Sequence, residues 1–343
     1  MKEIIALTDY KNHFGSKWDA LPYNSGFDKK LLSQYFRERN YQIKFVEFSK
    51  VTELRNIKNI PILYTSSEDI GYHYKSYIED VVLFLQESGG KIIPEFKFLR
   101  ANNNKIYMEL ISKQIGGKIM NRLDSWIFGT FEEMQSRMHE FTYPIVIKSS
   151  TGAMGRGVSL AKNEKDLIKK VKSIIRTQYL LQDIKDNIRP YKYKGYKVNS
   201  LYREKFVLQS FIPDLKNDWK ILIFGDKYFI FSRPVRKNDF RASGSGNLNY
   251  SYGSECNYPQ GIFEFAKNIF EILDVPHLSI DIAYDGNKFY LIEFQAIFFG
   301  TVGHVKSDVY FKKEKNNWIP LKNTEPIEKI YAASVIDYLE KND

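Results

Sequence analysis

Two apolar runs, Leu278 to Tyr284 (LSIDIAY) and Lys288 to Phe294 (KFYLIEF), flank the triplet Asp285-Gly286-Asn287. A turn-forming triplet between two β-rich runs predicts a hairpin. Side chains alternate along a strand, so residues 281 and 283 can share a face with residues 291, 293 and 295 of the partner. That face carries the carboxylates of Asp281 and Glu293 and the amide of Gln295 amid Ile, Leu and Phe. Buried carboxylates without cations are costly, whereas oxygen donors on neighbouring strands suit Mg²⁺ bridging phosphates. The plainer account, a solvated sheet face, fits poorly with such apolar flanks.

The rest of the chain reads as three blocks. In residues 1–100 strands and helices alternate: Lys2 to Thr8, Gln42 to Phe48, Ile60 to Thr65 and Lys91 to Pro94 as strands, with helices over Asp28 to Arg39 and Ser76 to Glu87. Strand-helix-strand alternation implies a small α/β lobe with parallel strands. The turn-prone Asn102-Asn103-Asn104 opens a helix, Lys105 to Ile115, and marks a boundary near residue 101. From Tyr143 onward strands dominate (Pro144 to Ser149, Arg156 to Ala161, Glu204 to Phe211, Trp219 to Phe224, Lys227 to Pro234). Helices are expected over Glu164 to Arg176, Gly261 to Leu273 and Ile327 to Leu339. The expected division is 1–100, 101–210 and 211–343, an α/β lobe followed by two α+β lobes.

Composition removes several classes. A lone Cys256 supports neither an intrachain disulfide nor a cysteine-rich zinc site and fits a reducing compartment. The N-terminus carries Glu3 and Asp9 within its apolar stretch, unlike a signal peptide. No apolar run approaches the roughly 20 residues of a membrane span. The expectation is therefore a soluble, cytoplasmic protein. The net charge of +10 favours anionic partners.

Three further segments carry candidate chemistry. In YPIVIKSSTGAMGRGVSLAKN, residues 143–163, an apolar strand ends in Lys148 and a loop with Gly152, Gly155 and Gly157 follows. Glycines let backbone N–H groups approach an anion, and a lysine at the strand end adds a point charge. No Lys-Ser/Thr follows the last glycine, so this is not a Walker A loop; an ordinary glycine-rich hairpin is the bland alternative. The stretch 218–247 is a hairpin leading into a basic, Gly/Ser-rich loop with Arg233, Arg236 and Arg241, suited to clamping phosphate or carboxylate or else to simple solvation. Arg189 to Lys205 holds six basic residues, one acid and four tyrosines. It reads as a solvated insertion with an affinity for anionic polymers as the functional alternative. The five histidines show no metal-ligand spacing.

In this order and spacing, Lys105, the Lys148 glycine loop, VLQSFIPDLKNDWK, SRPVRKNDFRASGSG and the Asp281/Glu293/Gln295 set resemble the ATP-grasp superfamily, within it the branch of ribosomal-protein-tail glutamate ligases. The resemblance spans about Asn104 to Gly303. It implies a three-lobed fold with ATP clamped between the last two lobes. Lys105, Lys148, Gly152, Gly155 and Gly157 would then grip the nucleotide, and the backbone of Gln209, Ser210, Phe211 and Ile212 would read adenine. Asp218 stands where the family places a nucleotide-contacting acid. Asp281, Glu293 and Gln295 would hold two Mg²⁺ ions, with Mn²⁺ as an alternative, and Arg233 and Arg241 would stabilise the transferred phosphoryl group.

The implied activity is ATP-dependent joining of a carboxylate to an amine through an acylphosphate, with a peptide or glycan-linked acid as acceptor. Two other outcomes stay open: a phosphotransferase on the same fold, and a non-catalytic nucleotide- or polyanion-binding protein. Nucleic acid is not an expected partner, and the oligomeric state is left open. Gln295 replaces the family's Asn, Ser210 an acidic hinge residue, and Ala242-Ser243 the usual Ser-Asn; AIFFGTVGH lacks the small-polar run relatives use near the acceptor.

Overall fold

The computed structural model describes residues 1–342 apart from 117–122, 153–156, 178, 236–238 and 242–248. Its first unit is a parallel sheet in the order β2-β1-β3-β4, from β1 (Lys2–Thr8), β2 (Tyr41–Glu47), β3 (Pro61–Tyr64) and β4 (Lys91–Ile93). Helix α1 (Lys29–Glu38) starts where Asp28 caps the backbone N–H groups of Lys30 and Leu31, and it buries Leu32 and Phe36 one turn apart. Helix α2 (His73–Glu87) buries Ile78, Val82 and Leu85 in a core with Ile5, Leu7 and Ile62 of the sheet. Helix α3 (Phe96–Ala101) leads out of the unit.

Asn104 caps α4 (Lys105–Ile115) by accepting from the Tyr107 N–H. The second sheet runs β5-β8-β6-β7, all pairs antiparallel: β5 (Ser125–Phe128), β6 (Ile145–Ser149), β7 (Val158–Ala161) and β8 (Phe206–Ser210). A Thr130/Glu133 capping box starts the short α5 (Phe131–Gln135). Helix α6 (Glu164–Ile175) packs Leu167, Val171 and Ile175, four residues apart, against this sheet. Between them and β8 lies α7 (Leu180–Lys192), so residues 189–192 of the expected loop are helical.

The third sheet has the order β13-β12-β9-β10-β14-β15, with β11 beside β10. Its strands are β9 (Asn217–Phe224), β10 (Lys227–Pro234), β11 (Ser251–Tyr252), β12 (His277–Tyr284), β13 (Phe289–Gln295), β14 (Val309–Glu314) and β15 (Asn317–Lys322). The β9–β10 turn is Gly225-Asp226, and the β12–β13 turn is held by Asp285, whose Oδ1 accepts from the N–H groups of Asn287 and Lys288. One face of the sheet, with Ile221, Ile230, Ile280 and Ile282, packs on α8 (Ile262–Leu273).

Two differences from the sequence reading have clear causes. A bulge at Ile292 pairs Asp281 with Glu293 but Ile282 with Leu291, so Leu291 turns into the α8 core instead of sharing the carboxylate face. The β14–β15 hairpin hid its alternation, because Lys312, Lys313, Glu314 and Lys322 interrupt its apolar residues.

After α9 (Val302–Lys306) the chain ends in α10 (Ile327–Lys341). This helix leaves its own sheet neighbours partly behind. Ile327, Ile330, Val335, Ile336 and Leu339 join one core with Ile4, Leu32, Phe36 and Leu63 of the first unit and Leu222 and Phe229 of the third. Among the described residues no helix is long and apolar enough to cross a membrane.

Candidate functional site

Strand register assembles the site. Asp281 lies opposite Glu293 on one side and Lys220 on the other; Ser279 lies opposite Gln295, and Asp218 opposite Arg233. Alternation along each strand then puts Asp218, Lys220, Arg233, Asp281, Glu293 and Gln295 on one face, the reverse of the α8 core.

Arg233 is the centre of this face. Its Nε and Nη2 donate to Asp218 Oδ1 and Oδ2 at 2.6 and 2.8 Å, and Nη2 also donates to Asp281 Oδ2 at 2.7 Å. Lys220 Nζ donates to the other oxygen, Asp281 Oδ1, at 2.9 Å. Two buried carboxylates are thus matched by two cations, the condition for burying such charges without a large penalty. Burial pushes the Asp281 carboxyl up, but Arg233 and Lys220 outweigh it and hold it at about 2. Burial likewise pulls the Arg233 guanidinium down and is overcome by Asp218 and Asp281, which raise it.

Asp218 has both oxygens taken by Arg233, so the geometry makes it the anchor of that arginine. Lys220 was missed by the sequence reading. Its signal was present, because a lysine two residues after Asp218 in NDWKILIF belongs to the same strand face.

The two lysines come from the second sheet and from α4. Lys148 is the buried penultimate residue of β6, and Lys105 is the buried first residue of α4. The Lys105 backbone N–H donates to Ser150 O at 2.9 Å and its Nζ to Gly152 O at 2.6 Å, which knits the start of α4 to the start of the loop. Burial lowers the Lys105 pKa, Glu293 raises it and Lys148 lowers it, so these three groups share one neighbourhood across the two sheets.

At the far end of the loop, Gly157 O accepts from the Ser149 N–H at 2.8 Å. Gly157 has φ +73°, and a Cβ there would fall 1.8 Å from Ser149 Oγ, so only glycine fits. Gly152 also takes a positive φ, +111°. Gly155 lies outside the described residues, as does Arg236.

Gln209 and Ser210 end β8 inside the second sheet, between β5 and β6. Gln209 is buried, and its Nε2 donates to Glu109 Oε1 at 3.4 Å; Glu109 Oε2 accepts from Ser125 Oγ at 2.6 Å. Glu109, a buried acid on α4, was also missed, since nothing local in KIYMELISK separates it from a solvated helix residue. A cavity lined by Met108, Glu109, Gln209, Leu291, Glu293 and Phe294 joins α4, β8 and β13. Phe211 and Ile212 lie just beyond the ladder, and the Phe211 ring meets Phe240 at 6.4 Å. The described hydrogen bonds of Arg241 include a bidentate set to Asp239, at 3.1 Å from Nε and 2.9 Å from Nη2.

Among the described residues no three His, Cys, Asp or Glu side chains cluster as metal ligands. The Asp281/Glu293/Gln295 set supplies two carboxylates and an amide. Glu293 and Gln295 are half-buried, and neither side chain has a hydrogen-bond or salt-bridge partner among the described residues. His277 and His304 lie elsewhere: His277 sits between the rings of Phe224, Phe299 and Tyr331, and His304 Nε2 contacts Glu325 O.

A family model described as the ATP-binding domain of the carbamoyl-phosphate synthase L chain matches residues 105–180. Solved structures match almost end to end. A RiPP-associated ATP-grasp ligase from Chryseobacterium gregarium, in complex with ADP and a leader and core peptide, is 14% identical with a TM-score of 0.54, covering 98% of this chain and 97% of that one. A RimK-domain ATP-grasp protein from Sphaerobacter thermophilus is 12% identical at a TM-score of 0.51, covering 97% and 99%. The macrocyclase MdnC from Microcystis aeruginosa, bound with the precursor peptide MdnA, is 10% identical at 0.51, covering 98% and 100%. No curated protein sequence matches the chain. The chain has the ATP-grasp fold, as the order of its motifs implied, and residues 105–180 match an ATP-binding domain.

Proposed function

We propose that this protein is an ATP-dependent carboxylate–amine ligase. The observation that carries the reading is that Lys105, bonded to Gly152 O, shares one neighbourhood with Lys148 and with Glu293, which belongs to the Asp218–Arg233–Asp281–Lys220 face. In the proposed reaction a substrate carboxylate oxygen attacks the γ-phosphorus of ATP, and the bond to the β,γ-bridging oxygen breaks. ADP leaves, and an acylphosphate forms. An amine then attacks the acyl carbon, phosphate leaves, and an amide and a proton result.

Such chemistry needs positioning and charge neutralisation more than covalent help from the protein. Lys105 and Lys148 hold the phosphates, and Gly152, Gly155 and Gly157 let the loop close on them. Gln209 and Ser210 end the strand that delivers Phe211 and Ile212, whose backbone reads the base. Arg233, aimed by Asp218, neutralises charge on the transferred group, and Arg241, in the segment after β10, would add a second guanidinium.

Glu293 and Gln295 present unengaged oxygens that fit Mg²⁺, which takes hard oxygen donors and keeps part of its water shell; Asp281, whose oxygens accept from Lys220 and Arg233, would join them by giving up one of those bonds. When bound, the metal would supply charge neutralisation at the β- and γ-phosphates. Gln295 brings the same amide oxygen as an asparagine on a longer stem. A peptide or glycan-linked acid is the proposed acceptor class, in keeping with the +10 charge.

The test is product analysis by mass spectrometry after incubation with ATP, Mg²⁺, pooled carboxylates and pooled amines. The expected products are ADP, free phosphate and a new amide. A phosphorylated product, or no ADP at all, would rule the reading out. Glu293→Gln should lower ATP turnover by about 100-fold or more while leaving the circular dichroism spectrum unchanged. Parental turnover in that variant would refute the metal assignment.

A further inference from the structure

The basic stretch Arg189 to Lys205 ends in a residue that the proposed reaction does not use. Lys205 immediately precedes β8, whose Phe206 pairs with Ser149 at the base of the glycine loop. It is half-buried, yet among the described residues it has no carboxylate partner; its Nζ donates to the neutral Asn104 Oδ1 at 3.2 Å. Its own sequence neighbour Glu204 is exposed.

Two more cations stand nearby on the first unit. Lys75, buried on α2, pairs with Glu79 one turn on, and Arg100 on α3 donates from Nη1 to the other Glu79 oxygen at 2.5 Å. Lys75 and Arg100 thus share one buried carboxylate, and Lys205 brings a third positive charge into their neighbourhood. Burial lowers the Lys205 pKa most, and Arg100 and Lys75 lower it further against the pull of Glu79 and Glu204. A desolvated lysine among like charges is stabilised by any anion that enters.

The place is specific. Asn104, which receives Lys205, is the residue before Lys105, and Lys105 is bonded to the glycine loop. Asn102, two residues after Arg100, donates to Ile297 O at 3.2 Å, just past Gln295 on the third unit. All three units meet here, beside the loop end of the cleft and away from the hinge at Ser210. It is also a different neighbourhood from the metal strand, because Lys105 feels Glu293 and Lys148 whereas Lys205 feels Arg100, Lys75 and the two glutamates.

We propose that Lys205, Arg100 and Lys75 form an anion site for a second charged group of the substrate, a carboxylate or phosphate other than the one that reacts. This rests on the ligase reading and narrows it: the acid that is activated carries at least two anionic groups. Lys205 and Arg100 make the contact, and Lys75 holds Glu79 so that Arg100 is aimed.

The experiment is calorimetric titration of the full chain, saturated with ADP and Mg²⁺, with glutarate, 3-phosphoglycerate and butyrate in turn. Glutarate or 3-phosphoglycerate should bind at least about ten-fold more tightly than butyrate, as expected for one added charge-assisted contact. Whichever binds better identifies the second group as carboxylate or phosphate. Lys205→Ala and Arg100→Ala should each weaken that ligand by about ten-fold with ADP affinity unchanged, and Lys205→Arg should restore most of it. Equal binding of butyrate, binding of none of the three, or a parallel loss of ADP affinity in the variants would overturn the proposal. Failure of wild-type protein to bind ADP would instead refute the ligase reading beneath it.

Discussion

Arg233 is the residue on which the carboxylate face depends. It spans Asp218 and Asp281 with three hydrogen bonds, which a guanidinium can do and an ammonium cannot. Arg233→Ala leaves Asp218 buried without its cation and should cost about 3–5 kcal/mol, read as a lower urea midpoint. Arg233→Lys should recover only part of that; full recovery would mean that the forked geometry is immaterial. Gly157→Ala forces a Cβ onto Ser149 Oγ at a positive φ, a strain of about 1–3 kcal/mol. The variant should bind ADP more weakly, and its melting temperature should fall by a few degrees, about what that strain costs. Unchanged ADP affinity would show that this loop does not cover the nucleotide. At this scale the reading from sequence went furthest where a strand imposes alternation: Asp281 and Glu293 could be put on one face, although the bulge at Ile292 set their pairing. Glu109 could not, because a helix shows its neighbours three dimensions at once and the partner, Gln209, lies a hundred residues away.

Among elements, α7 shows where local signals misled. Pro190 and a polar, glycine-containing tail argue for a loop, yet the helix runs from Leu180 to Lys192. The proline falls in the last turn, where it removes one N–H bond, and the helix closes beyond it through the Tyr193 N–H on Arg189 O. Asp186 then gathers the segment. Its carboxylate accepts from Gln182, Arg189, Tyr196 and Asn199, so residues 196–199 fold back on the helix. Asp186→Ala should free that return, and limited trypsin digestion should cut faster at Lys192, Lys194 and Lys197 with the remainder of the chain intact. Cleavage at the wild-type rate would mean that the aspartate is not the staple. Elements with a strong period, such as α4 and β10, needed no such help and match their sequence bounds, Lys105–Ile115 and Lys227–Pro234.

For the molecule as a whole, the last helix ties the ends together. Glu328 on α10 accepts from Lys17 Nζ and from the Asp28 N–H, both at 2.9 Å, on the first unit. Beside it, His277 sits wholly buried among aromatic rings, and burial pushes its imidazole down to about 3 from an ordinary 6.5. Between those values the unfolded chain takes up a proton that the native state refuses. Stability must therefore fall as pH drops from 6.5 toward 3, by up to about 1.4 kcal/mol per pH unit from this residue. His277→Phe should flatten that dependence, measured by urea unfolding at pH 7, 6 and 5. An identical slope in the variant would show that the imidazole is protonated in the native core.

Period, turn chemistry and the order of motifs are local properties, so they determined most strands and helices, the shared face of the two carboxylates and the ATP-grasp fold. The tertiary structure alone decided which charges meet. It gave Asp218 to Arg233, set Lys220 on Asp281, turned Leu291 away through a bulge, and brought Lys205 beside Arg100 and Lys75. The reason is physical. A side chain's energy inside a protein depends on its desolvation and on the charges around it. Those neighbours are supplied by strands and helices that are distant along the chain.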